Sequence, residues 1–137
     1  MGDLVLDAWA VIIWLKGQQP AADRTRALLE SADRGERSLE MNIVNLGEIF
    51  YLSVKARDIT YGRHVMEALR PRVRLVSADD ELVMLAATLK SRHAISYADG
   101  FAAATAIRHN LPLVTGDPEI RIMATTQKQL RVEWMGR

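Results

Sequence analysis

Four acidic residues stand at positions from which an α/β chain could bring them together. Asp7 directly follows the short apolar stretch 2–6, and Asp117 follows the β-forming stretch 112–115. Glu48 and Asp99 each fall in the first turn of a segment with helical periodicity. Carboxylates gathered at one point repel each other, and some must take up protons unless a cation is present. The chain has no cysteine, so a metal site here would be built from oxygen. Oxygen donors favour a hard cation, Mg²⁺ or Mn²⁺, that keeps part of its water shell. Such a site can drive phosphodiester hydrolysis, by activating a water and offsetting the charge on phosphate and leaving oxygen.

Each acid taken alone also has a structural use. Asp7 can cap the helix that follows it. Asn45-Leu46-Gly47-Glu48 and Ser96-Tyr97-Ala98-Asp99 have the spacing of a capping box, in which the acid reaches back to the N-cap backbone. Asp117-Pro118 reads as an N-cap followed by proline at the first helical position. Capping explains a carboxylate at each helix start. It does not require four helix starts to meet.

The elements that must position these acids alternate in period. Strands are expected at residues 2–6, 39–41, 73–76, 112–115 and 131–134. Helices are expected at 8–15, 20–34, 45–57, 60–70, 79–92, 96–109 and 118–123. Residues 79–92 form the clearest amphipathic segment, with Leu82, Leu85, Ala86 and Leu89 on one face. Strands alternating with helices imply an α/β fold, with a mainly parallel five-stranded sheet flanked by helices. Ligands of such sheets bind beyond the carboxyl ends of the strands, which is where the four acids fall.

In this context the motifs resemble a known family. Leu4-Val5-Leu6-Asp7-Ala8, Asn45-Leu46-Gly47-Glu48-Ile49, Ser96-Tyr97-Ala98-Asp99-Gly100-Phe101 and Leu113-Val114-Thr115-Gly116-Asp117-Pro118 are similar, in order, to the four acidic motifs of PIN domains. The resemblance spans essentially the whole chain, read as one PIN-like domain over residues 1–137. At this length it is most similar to VapC-type toxins of toxin–antitoxin pairs. It implies a Mg²⁺- or Mn²⁺-dependent endoribonuclease, restrained by a small antitoxin protein and usually homodimeric. By position Asp7, Glu48, Asp99 and Asp117 match the acidic quartet that holds the metal. Ser96 and Thr115 match polar residues that accompany the third and fourth acids and would help to position water or phosphate. Asn45 falls where the family often carries Thr, Ser or Asn, and Glu119 stands near an additional acid of some members. One departure is Trp9, two positions after the first acid, where many members have Ser or Asn.

Composition narrows the partners. The apolar fraction of 49% and charged fraction of 26% in 137 residues describe one globular domain. The formal net charge is +1, which excludes a strongly basic nucleic-acid glove. Of the 17 acidic residues four belong to the quartet, which leaves 13 against 18 basic ones, 14 of them Arg. The total therefore reads as a local acidic well inside a moderately basic body that can attract RNA. Arg70-Pro71-Arg72-Val73-Arg74 is the densest basic stretch. It reads as RNA backbone contact or, more simply, as a solvated helix end. His64, His93 and His109 form no metal-spaced pair. The longest apolar run, residues 8–15, is far short of the ~20 needed to span a membrane, and no secretory signal is evident, so a cytoplasmic address is expected.

Two other readings exist. One is a PIN nuclease of RNA processing that works without an antitoxin. The other is a receiver-like signalling module binding Mg²⁺. A receiver would need an acidic pair after the first strand and a Lys after the last. Here Asp7 is followed by Ala8-Trp9, and the pair Asp79-Asp80 follows the third strand.

Overall fold

A computed structural model describes residues 2–136. Met1 and Arg137, the outermost residues of the expected domain, lie outside the described residues. The elements run β1 (Leu4–Leu6), α1 (Ala8–Lys16), α2 (Ala21–Asp33), β2 (Leu39–Asn42), α3 (Ile43–Ala56) and α4 (Ile59–Leu69). After one 3₁₀ turn (Arg70–Arg72) come β3 (Arg74–Val76), α5 (Asp80–Arg92), α6 (Tyr97–His109), β4 (Leu113–Thr115), α7 (Pro118–Thr126) and β5 (Val132–Trp134). The five strands form one sheet in the order β3-β2-β1-β4-β5, and every neighbouring pair is parallel. The expected fold class is therefore found, with the sheet wholly rather than mainly parallel. A receiver-like, flavodoxin-type sheet has the order 2-1-3-4-5, so that reading fails on topology.

Parallel strands need crossovers, and the helices of those crossovers cover both faces. Alternate strand residues therefore enter different cores. Leu4 and Leu6 of β1, with Val114 of β4, pack under α1–α4. Val5 and Leu113 pack under α5, α6 and α7. β1 lies in the middle of the order, and all three of its residues are buried. Each buried Leu or Val contributes about 1.5–3 kcal/mol through area removed from water.

Most helix boundaries follow caps visible in the chain. Asp58, Asp79, Ser96 and Asp117 each accept a backbone N–H at the start of α4, α5, α6 and α7. α1 ends at Gly17, which takes a left-handed φ of 68°, a conformation easy only for glycine. Several ends differ from expectation by one to three residues, with β1 starting at Leu4 and α7 running on to Thr126, and one of these differences touches the site. α3 starts at Ile43, with Asn42 as N-cap accepting the Val44 N–H at 2.9 Å. Asn45 therefore sits inside the helix, the capping box expected over residues 45–48 does not form, and Glu48 lies in the second turn of α3 rather than the first.

The sheet order places a switch point between β1 and β4. The chain leaves β1 towards β2 and returns on the other side of β1 through β4. Crossovers from the two strands thus diverge and open a crevice beyond their carboxyl ends. Asp7 and Asp117 stand at the two sides of it.

Candidate metal centre and active site

Asp7 closes β1 and caps α1. Its Oδ1 accepts the Ala10 N–H at 2.9 Å. Its Oδ2 is buried and has no hydrogen-bond partner. A buried carboxylate with a free oxygen holds its charge poorly. Burial pushes the Asp7 carboxyl up to about 7, and the charges of Asp99 and Asp117 add to the rise. The Thr115 hydroxyl and the Ala10 N–H act in the opposite direction.

Asp99 sits in the first turn of α6. The Ser96 hydroxyl accepts its N–H at 3.1 Å. Burial, followed by the negative charge on Asp117, pushes the Asp99 carboxyl up to about 7. Asp117 ends the β4 segment and caps α7 through the Glu119 N–H at 2.9 Å. Its own N–H donates to the Thr115 hydroxyl at 3.0 Å. Glu48, half-buried on α3, is also raised by burial and by the charge of Asp117.

Asp99, Asp117 and Glu119 each offer a carboxylate oxygen, and these oxygens lie within 4.8 Å of one another. That is a spacing at which one hard cation could be shared. Asp7 and Glu48 stand close enough to feel the same charges. Among the described residues, no histidine joins this cluster. Three observations fit a divalent metal bound by oxygen. The donors are all carboxylates, the buried Asp7 Oδ2 lacks a partner, and three of the acids are raised by burial and by mutual repulsion.

The sequence places these acids, but it misjudges the surroundings. Glu119, which stands near an additional acid of some family members but also suits a helix N-terminus, joins Asp99 and Asp117 in space. Ser96 turns its hydroxyl to the α6 backbone and so orients Asp99. Asn45 donates from Nδ2 to the Ala98 carbonyl at 2.9 Å, which ties α3 to the start of α6. Asn42 is a further residue of the site's scaffold, outside the expected set. Its Nδ2 donates to the Thr105 hydroxyl at 3.2 Å, and that hydroxyl donates to the Phe101 carbonyl at 2.8 Å. An Asn directly after a strand, ahead of a helical period, is the signal that could have found it. Gly116, between Thr115 and Asp117, is in tight contact with Trp9. A Cβ there would lie 2.2 Å from the indole.

The basic stretch lies elsewhere. Arg74 opens β3 at the sheet edge opposite the acids, and Arg72 pairs with Asp33 at 3.3 Å. His109 pairs with Glu40, also away from the acid cluster.

A family model for the PIN domain matches residues 4–125. The chain belongs to the PIN domain family. No curated protein matches it in sequence. Solved structures similar to this PIN domain include DNA-bound VapBC from Salmonella typhimurium, with TM-score 0.72 and 16% identity over 98% of this chain and 99% of that one. FitAcB from Neisseria gonorrhoeae gives TM-score 0.70 and 21% identity over 98% of each chain. VapC20 from Mycobacterium tuberculosis, described as a sarcin-ricin loop cleaving toxin, gives TM-score 0.69 and 16% identity over 87% of this chain and 93% of that one. Among the described residues of this PIN domain, no helix is long and apolar enough to cross a membrane.

Proposed function

We propose that this PIN domain is a Mg²⁺- or Mn²⁺-dependent endoribonuclease and the toxin of a toxin–antitoxin pair, working in the cytoplasm as a homodimer and acting as one domain over residues 1–137. The observation that carries the reading is the meeting of Asp99, Asp117 and Glu119 oxygens within 4.8 Å, beside the buried free oxygen of Asp7. Asp7, Asp99 and Asp117 would hold the cation, with Glu119 and Glu48 completing the acidic shell directly or through water. Bound there, the cation would supply charge neutralisation at the phosphate and a lowered pKa for the attacking water.

The protein's own groups do the positioning. The Ala10 N–H fixes Asp7 through Oδ1 and leaves Oδ2 without a partner. Ser96 fixes Asp99, and Thr115 fixes Asp117 through its backbone N–H. Asp7 and Asp99, both raised to about 7, can each hold a proton near neutral pH when no cation is present. The partners proposed are RNA as substrate and a cognate antitoxin as inhibitor. This is supported by the VapBC and FitAB complexes among the similar folds.

Induced expression in a bacterial host tests the reading. The wild-type chain should arrest growth and degrade RNA, and Asp117→Asn should relieve both. Co-expression of the short reading frame neighbouring the gene should also relieve arrest. Unchanged growth and intact RNA on expression of folded protein would count against a toxin.

A further inference from the structure

A cavity of about 380 Å³ opens along α1, with Trp9 of the first helical turn at the end nearer the acids. Its walls include Trp9, Ile13, Gln18, Pro20 and Met135. Its Trp9 end reaches the carboxyl edge of the sheet, because Trp9 is two residues after Asp7 and the Met135 N–H bonds the Thr115 carbonyl at 2.8 Å, and its Gln18 end lies beyond the last turn of α1. Gly116 is the partition. The Trp9 indole packs directly on it, and the next residue is Asp117.

The chemistry of the walls is that of a small-molecule site, mostly apolar with a few polar groups to fix orientation. Trp9 supplies an aromatic surface whose position Gly116 fixes. The Gln18 side-chain amide, exposed and without a hydrogen-bond partner among the described residues, offers both a donor and an acceptor. The Gln19 amide is not equivalent, since it is occupied by Asp23 at 3.0 and 3.1 Å. An aromatic wall, a free amide and a volume of this size suit a nucleobase, which stacks through its face and is read at its edge.

We infer that this cavity is a base-binding subsite, in which a nucleobase next to the cleaved phosphate packs against Trp9 and is read by Gln18. The inference rests on the ribonuclease reading and names a determinant of its specificity. It also gives a role to Trp9 at a position where a small polar residue is common in the family. In this arrangement the phosphate lies at the acids and the base on the Trp9 side of Gly116, the residue before Asp117.

The test uses Asp99→Asn protein, so that RNA is bound without being cut. Short oligoribonucleotides of each base, and the same backbone with one abasic position, are titrated in Mg²⁺. The base-containing oligomers are expected to bind about tenfold tighter than the abasic one, as one stacked base allows. Adding Trp9→Leu should erase that difference. Gln18→Ala, on an exposed residue whose loss leaves the fold intact, should narrow the differences among the four bases while keeping the abasic gap. Equal affinity for base-containing and abasic oligomers would overturn the subsite and leave the nuclease reading standing. So would an unchanged base preference in Gln18→Ala with an unchanged abasic gap in Trp9→Leu. No RNA binding of any kind would overturn both.

Discussion

Asp7 spends one carboxylate oxygen on the α1 backbone and keeps the other buried and free. This division sets its pH behaviour. Its carboxyl moves from 3.8 when exposed to about 7 when folded, and Asp99 moves in the same direction. The folded state therefore binds more protons than the unfolded chain between about pH 4 and 7. The contribution of these two carboxyls to the stability of the metal-free protein is fully present below pH 4 and is lost as pH rises through about 7. For Asp7 alone the shift corresponds to about 4 kcal/mol. In EDTA, the melting temperature should fall between pH 5 and pH 8. Asp7→Asn keeps the cap and removes the charge, so it should flatten that profile and stabilise the metal-free protein at pH 8 by ~1–2 kcal/mol. A steeper profile in the mutant would contradict the assignment. Glu119→Gln should weaken Mn²⁺ binding about tenfold in calorimetry while leaving α7 intact, because the Glu119 N–H rather than its side chain meets Asp117. At this scale Asp7, Asp99 and Asp117 were legible because each follows a strand or opens a helix, whereas Glu48 lies a turn further into α3 than its spacing suggests. Glu119 was legible only through the family resemblance, since a first-turn glutamate also has a structural explanation in the helix dipole. Its nearness to Asp99 depends on how α6 and α7 pack.

The elements that carry the site are joined by buried polar pairs. Asn42 caps α3 and also reaches Thr105 on α6. Asn42→Ala should cost ~1–3 kcal/mol in urea unfolding, through a lost cap and the lost bond to the Thr105 hydroxyl, which keeps its bond to Phe101. Asn42→Ser should recover the cap and about half of that loss. Trp9 and Gly116 make the other junction. Gly116→Ala should destabilise by about 2 kcal/mol, because the new methyl meets rigid indole atoms. The same substitution in a Trp9→Ala background should cost much less, a coupling that a double-mutant cycle measures. Strand and helix periods were readable along the chain to within a few residues. The start of α3 was misplaced because Asn45-Leu46-Gly47-Glu48 imitates a cap, whereas Asn42 makes the real one. Residues 70–72 take a 3₁₀ turn that the pattern did not separate from its neighbours. The tie between Asn45 and Ala98 joins residues far apart in the chain, and no local pattern encodes it.

For the whole molecule, the order β3-β2-β1-β4-β5 collects Asp7 and Asp117 at one crevice. α3 and α6 bring Glu48 and Asp99 to it. The near-neutral charge of +1 then divides into an acidic well and a basic remainder. Divalent cation should raise the melting temperature, since it binds the folded state. The gain is ~2.7 kcal/mol at a concentration 100 times the Kd. The central claim is that this acid cluster, loaded with metal, cuts RNA. It is tested most directly by incubating the purified protein with RNA in Mg²⁺, in Mn²⁺ and in EDTA, alongside Asp99→Asn. Internal cleavage that requires metal and is lost in the folded mutant is the expected result. Cleavage that survives both EDTA and Asp99→Asn would contradict the account.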